Sequence, residues 1–111
     1  MRGLLPLALL LVLASCDALD ATYEVEYRVL APGPARAQYY APTLGWEDHQ
    51  ITAEWSYRFI ARSGDMLSVS VQNGPNAGAL SVGIYVDGIR FKGSTASGPF
   101  STATASGTAG K

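Results

Sequence analysis

The stretch Leu80–Phe91, LSVGIYVDGIRF, decides how the chain folds. Leu80, Val82, Ile84 and Val86 alternate with smaller or more polar residues, the period-2 pattern of a strand with one buried face. Ile89 and Phe91 resume the alternation beyond Asp87-Gly88. An Asp-Gly pair between apolar strands is the strongest short-range hairpin signal, because a type I′ turn needs positive φ at both central positions. A two-stranded hairpin is not stable alone in water, so the rest of the chain has to supply its sheet partners.

Upstream of the hairpin the same pattern repeats. Tyr23, Val25, Tyr27 and Val29 alternate with Glu24, Glu26 and Arg28, and Ala31-Pro32-Gly33-Pro34 ends that strand in a turn. A second strand runs over Ala35–Ala41 and stops at Pro42; Thr43 to Gln50 reads as a loop. Trp55, Tyr57, Phe59 and Ala61 give a third strand with a heavy aromatic face, closed by Ser63-Gly64-Asp65. Leu67, Val69 and Val71 give a fourth, ended by the loop Asn73-Gly74-Pro75-Asn76. Downstream, Ser94 to Pro99 reads as a loop, Phe100 to Ala105 as a last strand, and Gly107 to Lys111 as a frayed end. No segment has a helical period. About seven short strands divided by turn signals predict an all-β, immunoglobulin-like antiparallel β-sandwich. Its core is expected from Tyr23, Val25, Val29, Trp55, Phe59, Val69, Val82, Ile84 and Phe91.

The N-terminal segment reads differently. Arg2 precedes an apolar run from Leu4 to Ala14, interrupted by Pro6. The run is shorter than the roughly 20 residues needed to cross a bilayer as a helix, and it suits a secretory signal. It ends in Leu13-Ala14-Ser15-Cys16, an apolar residue, two small ones and the only cysteine of the chain. That arrangement resembles the lipobox of bacterial lipoproteins, whose cysteine is acylated and becomes the mature N-terminus. The expected organisation is a signal peptide over 1–15, lipidated Cys16 and a short tether over 16–21, a sandwich domain over 22–107 and a frayed end over 108–111. Asp17 to Ala21 reach at most about 18 Å when extended, which keeps the domain close to the lipid headgroups on the extracytoplasmic side. A net charge of −1 argues against nucleic acid and against a polybasic membrane patch.

The stretch AEWSYRFIARSGDMLSVSVQN (Ala53–Asn73), followed by IYVDG (Ile84–Gly88), resembles the mycobacterial small membrane protein (MmpS) domain. With the closing Ala103-Thr104-Ala105-Ser106-Gly107 it resembles more closely a group of small secreted bacterial lipoproteins. Tyr23-Glu24-Val25, Trp55-Ser56, Gly64-Asp65, Gln72-Asn73 and Val86-Asp87-Gly88 carry the likeness. It implies a β-sandwich outside the cytoplasm and, from the mycobacterial members, a role accessory to large export transporters. Those members have a membrane helix and a cysteine pair; this chain has a candidate lipid anchor instead, with Val82 where the first cysteine would stand.

Chemistry-bearing clusters are few. Glu24 and Glu26 share a strand face about 7 Å apart, a spacing within the range of paired-carboxylate hydrolysis, but with no feature that would raise either carboxyl's pKa they read as a solvated outer face opposite the tyrosine/valine core face. Glu47-Asp48-His49 groups three metal-ligand types, but consecutive residues diverge and the histidine has no second. No phosphate loop, nucleophile–base pair, metal site or cofactor site is expected. Asp87 and Gly88 read as turn formers. Tyr40, Trp46 and Tyr85 fall off the core register and form a candidate aromatic binding surface. The reading is a membrane-anchored, non-catalytic binding or transporter-accessory module. Its alternative is an envelope protein self-associating through edge strands, and a carboxylate hydrolase stands behind both.

Overall fold

The computed structural model describes residues 21–110. The expected signal segment, Cys16 and most of its tether lie outside the described residues, as does Lys111. Eight strands follow one another: β1 (Thr22–Leu30), β2 (Ala35–Ala41), β3 (Gly45–Ile51), β4 (Glu54–Arg62), β5 (Met66–Asn73), β6 (Ala79–Val86), β7 (Ile89–Ser97) and β8 (Thr102–Thr108). They form two four-stranded antiparallel sheets with orders β4-β1-β6-β7 and β3-β2-β5-β8. The sheets pack face to face as the sandwich the alternation predicts.

The consecutive strands β1 and β2 lie beside the consecutive strands β4 and β5, each pair split between the two sheets. That is the adjacency of the central B, C, E and F strands in immunoglobulin-like sandwiches. The β6–β7 hairpin occupies the other side of β1, where an immunoglobulin domain places its first strand. At the hairpin tip Asp87 has φ 50° and Gly88 φ 81°, the two left-handed conformations that an Asp-Gly turn supplies. Asp87 also joins the hairpin to β1: its Oδ1 accepts the Glu24 N–H at 2.9 Å, and its own N–H donates to the Glu24 carbonyl at 2.8 Å.

Inward-facing side chains fill the space between the sheets. Val25, Tyr27, Val29, Leu67, Val69, Val71, Leu80, Val82 and Ile84 are buried, with alanines of β2 and β8 where the sheets approach closely. Tyr23, Trp55, Phe59 and Phe91 pack against this core while keeping part of their surface. Tyr27 is the central tie. Its hydroxyl donates to the Tyr40 carbonyl at 2.6 Å and accepts the Ser68 N–H at 3.0 Å, so a side chain of one sheet bridges two strands of the other. Burial of that hydroxyl pushes its pKa up to about 12.

Four expectations need correction. Residues 45–51 are a strand, not a loop, which makes eight strands instead of seven. β7 runs on to Ser97, so the loop shortens to a turn in which Phe100 has φ 58° and is exposed, and β8 begins only at Thr102. A bulge at Phe91 shifts the register between β6 and β7, with the Phe91 ring turned onto Gly107, and Ile89, opposite Val86, is exposed. The C-terminal end is held: Ala109 is buried, donates to the Asp65 carbonyl at 2.9 Å and accepts the Gly64 N–H at 2.9 Å.

Candidate functional site

The outer face of the β4-β1-β6-β7 sheet carries a groove of about 750 Å³. Alternation produces its lining: as Val25, Tyr27 and Val29 turn inward, Glu26, Arg28 and Leu30 turn out, and on β6 Ser81, Gly83 and Tyr85 do the same. Gly83 and Gly93 face each other across β6 and β7 and hollow the sheet where side chains would otherwise stand. Tyr85 lies over Gly83 and the Arg90 guanidinium lies across Gly93, so a side chain at Gly83 would press on the Tyr85 ring and one at Gly93 would displace the Arg90 guanidinium.

A charged row crosses the groove. Glu26 accepts from Arg28 Nε at 2.8 Å and from Arg58 Nε at 3.2 Å. The Arg28 guanidinium carbon sits 3.8 Å from the centre of the Tyr85 ring, a cation–π contact. The Glu26 side chain is only 14% exposed. The hydrogen bond from Arg28 holds its carboxyl below the ordinary carboxylate value; burial opposes that and Arg58 reinforces it. This is the reverse of what a general acid requires. A neighbouring depression of about 420 Å³ reaches from Glu26 and Tyr85 toward Ile60 and Gly88.

The three aromatic residues expected to form one surface do not meet. Tyr40 and Trp46 are directly opposed on β2 and β3, their rings 5.6 Å apart and edge to face. They stand on the outside of the second sheet, and Trp46 is 60% exposed. Tyr85 belongs to the outside of the first sheet, in the groove. Period-2 spacing assigns a residue to a face but not to a sheet, and between Trp46 and Tyr85 the chain crosses sheets at β3–β4, β4–β5 and β5–β6.

Glu47, Asp48 and His49 diverge as strand geometry demands. Asp48 points out and pairs with Arg36, which lowers its pKa. Glu47 and His49 lie on the inward register at the open edge, where the His49 ring rests 5.9 Å from Trp55. Among the described residues no group of three metal-ligand side chains converges. Along this edge Trp55 and Tyr57 stack nearly parallel, 6.2 Å apart at 5°, and Tyr39 packs on both at 5.0 and 4.9 Å. This aromatic row completes the core at its thin side. The groove residues Arg28, Arg90 and Thr95 were not singled out by sequence; four strands from distant positions have to assemble before the hollow exists. Comparison with protein-family models and with curated proteins returns no match.

Proposed function

We propose that this protein is a lipid-anchored, extracytoplasmic, non-catalytic module that binds a partner through the outer face of its β4-β1-β6-β7 sheet. The observation that carries the reading is the groove itself. It presents Arg28 stacked on Tyr85, exposed Arg90, and the hydroxyls of Ser56 and Thr95, around a carboxylate neutralised by two arginines. A rigid aromatic ring and planar guanidinium groups gain contact area at low entropic cost and are the side chains that most often anchor interfaces. A role accessory to an export transporter, which the family resemblance implies, is one form of such binding.

The edge-association alternative meets a specific obstacle. The edge strand β3 turns Glu47 and His49 inward and exposes Asp48 on its outer face. Inward-pointing charge on a sheet edge is a device that blocks strand addition.

Two measurements test the reading. Intact mass of the protein purified from its host membranes should show diacylglyceryl modification on Cys16; an unmodified thiol overturns the anchor. Cross-linking in intact cells should join the protein to a defined membrane or envelope partner, and Tyr85→Ala with Arg90→Ala should abolish that product while leaving the fold intact. Equal cross-linking by the double variant overturns the groove as the binding surface. A Glu24→Gln/Glu26→Gln variant keeps the wild-type phenotype if no carboxylate chemistry is involved, and its loss with retained partner binding favours the hydrolase.

A further inference from the structure

Seven large apolar side chains are exposed among the described residues: Leu30, Leu44, Trp46, Ile60, Met66, Ile89 and Phe100. Their placement along the strands is uneven. Thr22 opposes Arg62 where β1 begins and β4 ends, and Met66 opposes Thr108 where β5 begins and β8 ends. These pairs define one end of the sandwich. Ile60 opposes Glu24 near it, Ile89 opposes Val86 and through it Val25, and Trp46 opposes Tyr40 and through it Ser68. Leu44 lies in the β2–β3 turn at the same end. Five of the seven therefore ring one end, drawn from both sheets and from the turns between them. Leu30 and Phe100 mark the other.

The ringed end is also where the chain enters the fold. The Ala21 carbonyl accepts the Ser63 N–H at 3.0 Å, beside the turn that holds Ala109. Cys16 is five residues away, at most about 18 Å of extended chain. An acylated cysteine at the headgroup level confines this end to the membrane surface. β1 carries the opposite end eight residue steps further, roughly 27 Å away.

We infer that this end of the sandwich docks on the lipid bilayer itself, with Leu44, Trp46, Ile60, Met66 and Ile89 entering the interfacial layer. The inference rests on the lipid-anchor reading. Tryptophan suits the headgroup level because its ring is apolar and its N–H remains hydrated. The contact is apolar, not electrostatic. Arg62 and Arg90 are exposed at this end, but Glu24, Asp65 and Asp87 lie there too, the Asp65 and Asp87 carboxylates bonded to the Arg62 and Glu24 amides. Docking therefore needs no anionic lipid and resists salt. It also sets the orientation: the groove between Glu26 and Thr95 opens sideways, above the surface.

The two tryptophans make the test direct. The chain from Cys16 to Lys111, which contains the whole described fold, is coupled through its single thiol to a maleimide-headgroup lipid in phosphatidylcholine vesicles. Trp55→Phe leaves Trp46 as the reporter, and Trp46→Phe leaves Trp55. Tethering to the vesicles should blue-shift Trp46, and brominated acyl chains should quench it, leaving Trp55 unchanged in both respects, equally with added anionic lipid or high salt. Leu44→Ser with Ile89→Ser should reduce the quenching of Trp46. Unquenched Trp46 in tethered protein with an intact β circular dichroism signal overturns the inference, as does quenching that appears only with anionic lipid. The tether is chemical, so this result is independent of whether the host acylates Cys16, which the mass measurement decides separately.

Discussion

Single side chains couple the two sheets and set how the fold responds to pH. The Tyr27 hydroxyl bridges the Tyr40 carbonyl and the Ser68 amide inside the sandwich. Tyr27→Phe leaves both groups without that partner and should cost about 1–3 kcal/mol, read from urea unfolding of the described domain. The same substitution has a pH signature. The folded pKa of Tyr27, about 12, lies above the ordinary 10.0, so the contribution of the neutral phenol is complete below pH 10 and is lost as pH rises through about 12. The variant should lack that alkaline decline; an unchanged alkaline limb would remove Tyr27 from its cause. Glu26 acts at the other limit with the opposite sign. The Arg28 hydrogen bond lowers its folded pKa below 4.5, so its contribution is present above 4.5 and lost as pH falls through the folded value. Glu26→Gln should flatten the acid limb of stability against pH, and a limb identical to wild type would show the pair to be energetically idle, as many exposed ion pairs are. In the sequence Glu26 is one of a carboxylate pair on a strand face; that two arginines close on it depends on β4 lying beside β1, which no local pattern announces.

At the scale of elements, the strands that bury apolar residues on alternate positions were readable and the strand that does not was missed. Ala35–Ala41 has the predicted limits, and the Leu80–Phe91 hairpin turns at Asp87-Gly88 as its chemistry demands. β3 reads GWEDHQI: its inward positions hold Gly45, Glu47 and His49 before Ile51, so its period carries no apolar signal. It is a strand because β2 offers it a ladder, and its polarity is what the edge position calls for. Glu47→Val with His49→Val gives the edge an apolar inward face beside Trp55 and removes the charge that obstructs strand addition. Light scattering should then show concentration-dependent association that the wild type lacks. A monomeric double variant across the same concentrations would mean that the edge is protected by something other than these two residues. The groove escaped the sequence for a related reason. Gly83 and Gly93 are separated along the chain by the hairpin and meet only through the shifted β6–β7 register.

The molecule as a whole is asymmetric from side to side. On one side β7 and β8 bring the two sheets together, with the Phe91 ring seated on Gly107. On the other, β3 and β4 leave the core finished only by the row of Tyr39, Trp55, Tyr57 and Phe59, all aromatic and the β4 three still partly exposed. β3 has a ladder on one edge alone, and five of its seven residues are exposed. β5 has ladders on both edges and its inward residues Leu67, Val69 and Val71 are fully buried. Local opening free energy follows buried contacts and ladder protection, so the β3 edge should open without the rest of the fold. Native-state amide exchange gives the measurement. Protected amides of β3 should exchange through small openings insensitive to low denaturant. Those of Tyr27, Val69, Val71 and Ile84 should exchange only through global unfolding, with the full denaturant dependence. If β3 amides carry the same slope and protection as β5, the sandwich is one cooperative unit to its edge and the aromatic row closes it more firmly than its exposure implies. If they separate, the β3 edge opens by itself, while the groove floor on β1 and β6, at the middle of the first sheet between the β4 and β7 walls, keeps its shape. A floor held that way spends little conformational entropy on binding, which is the condition under which Arg28 on β1 and Tyr85 on β6 act as preformed anchors.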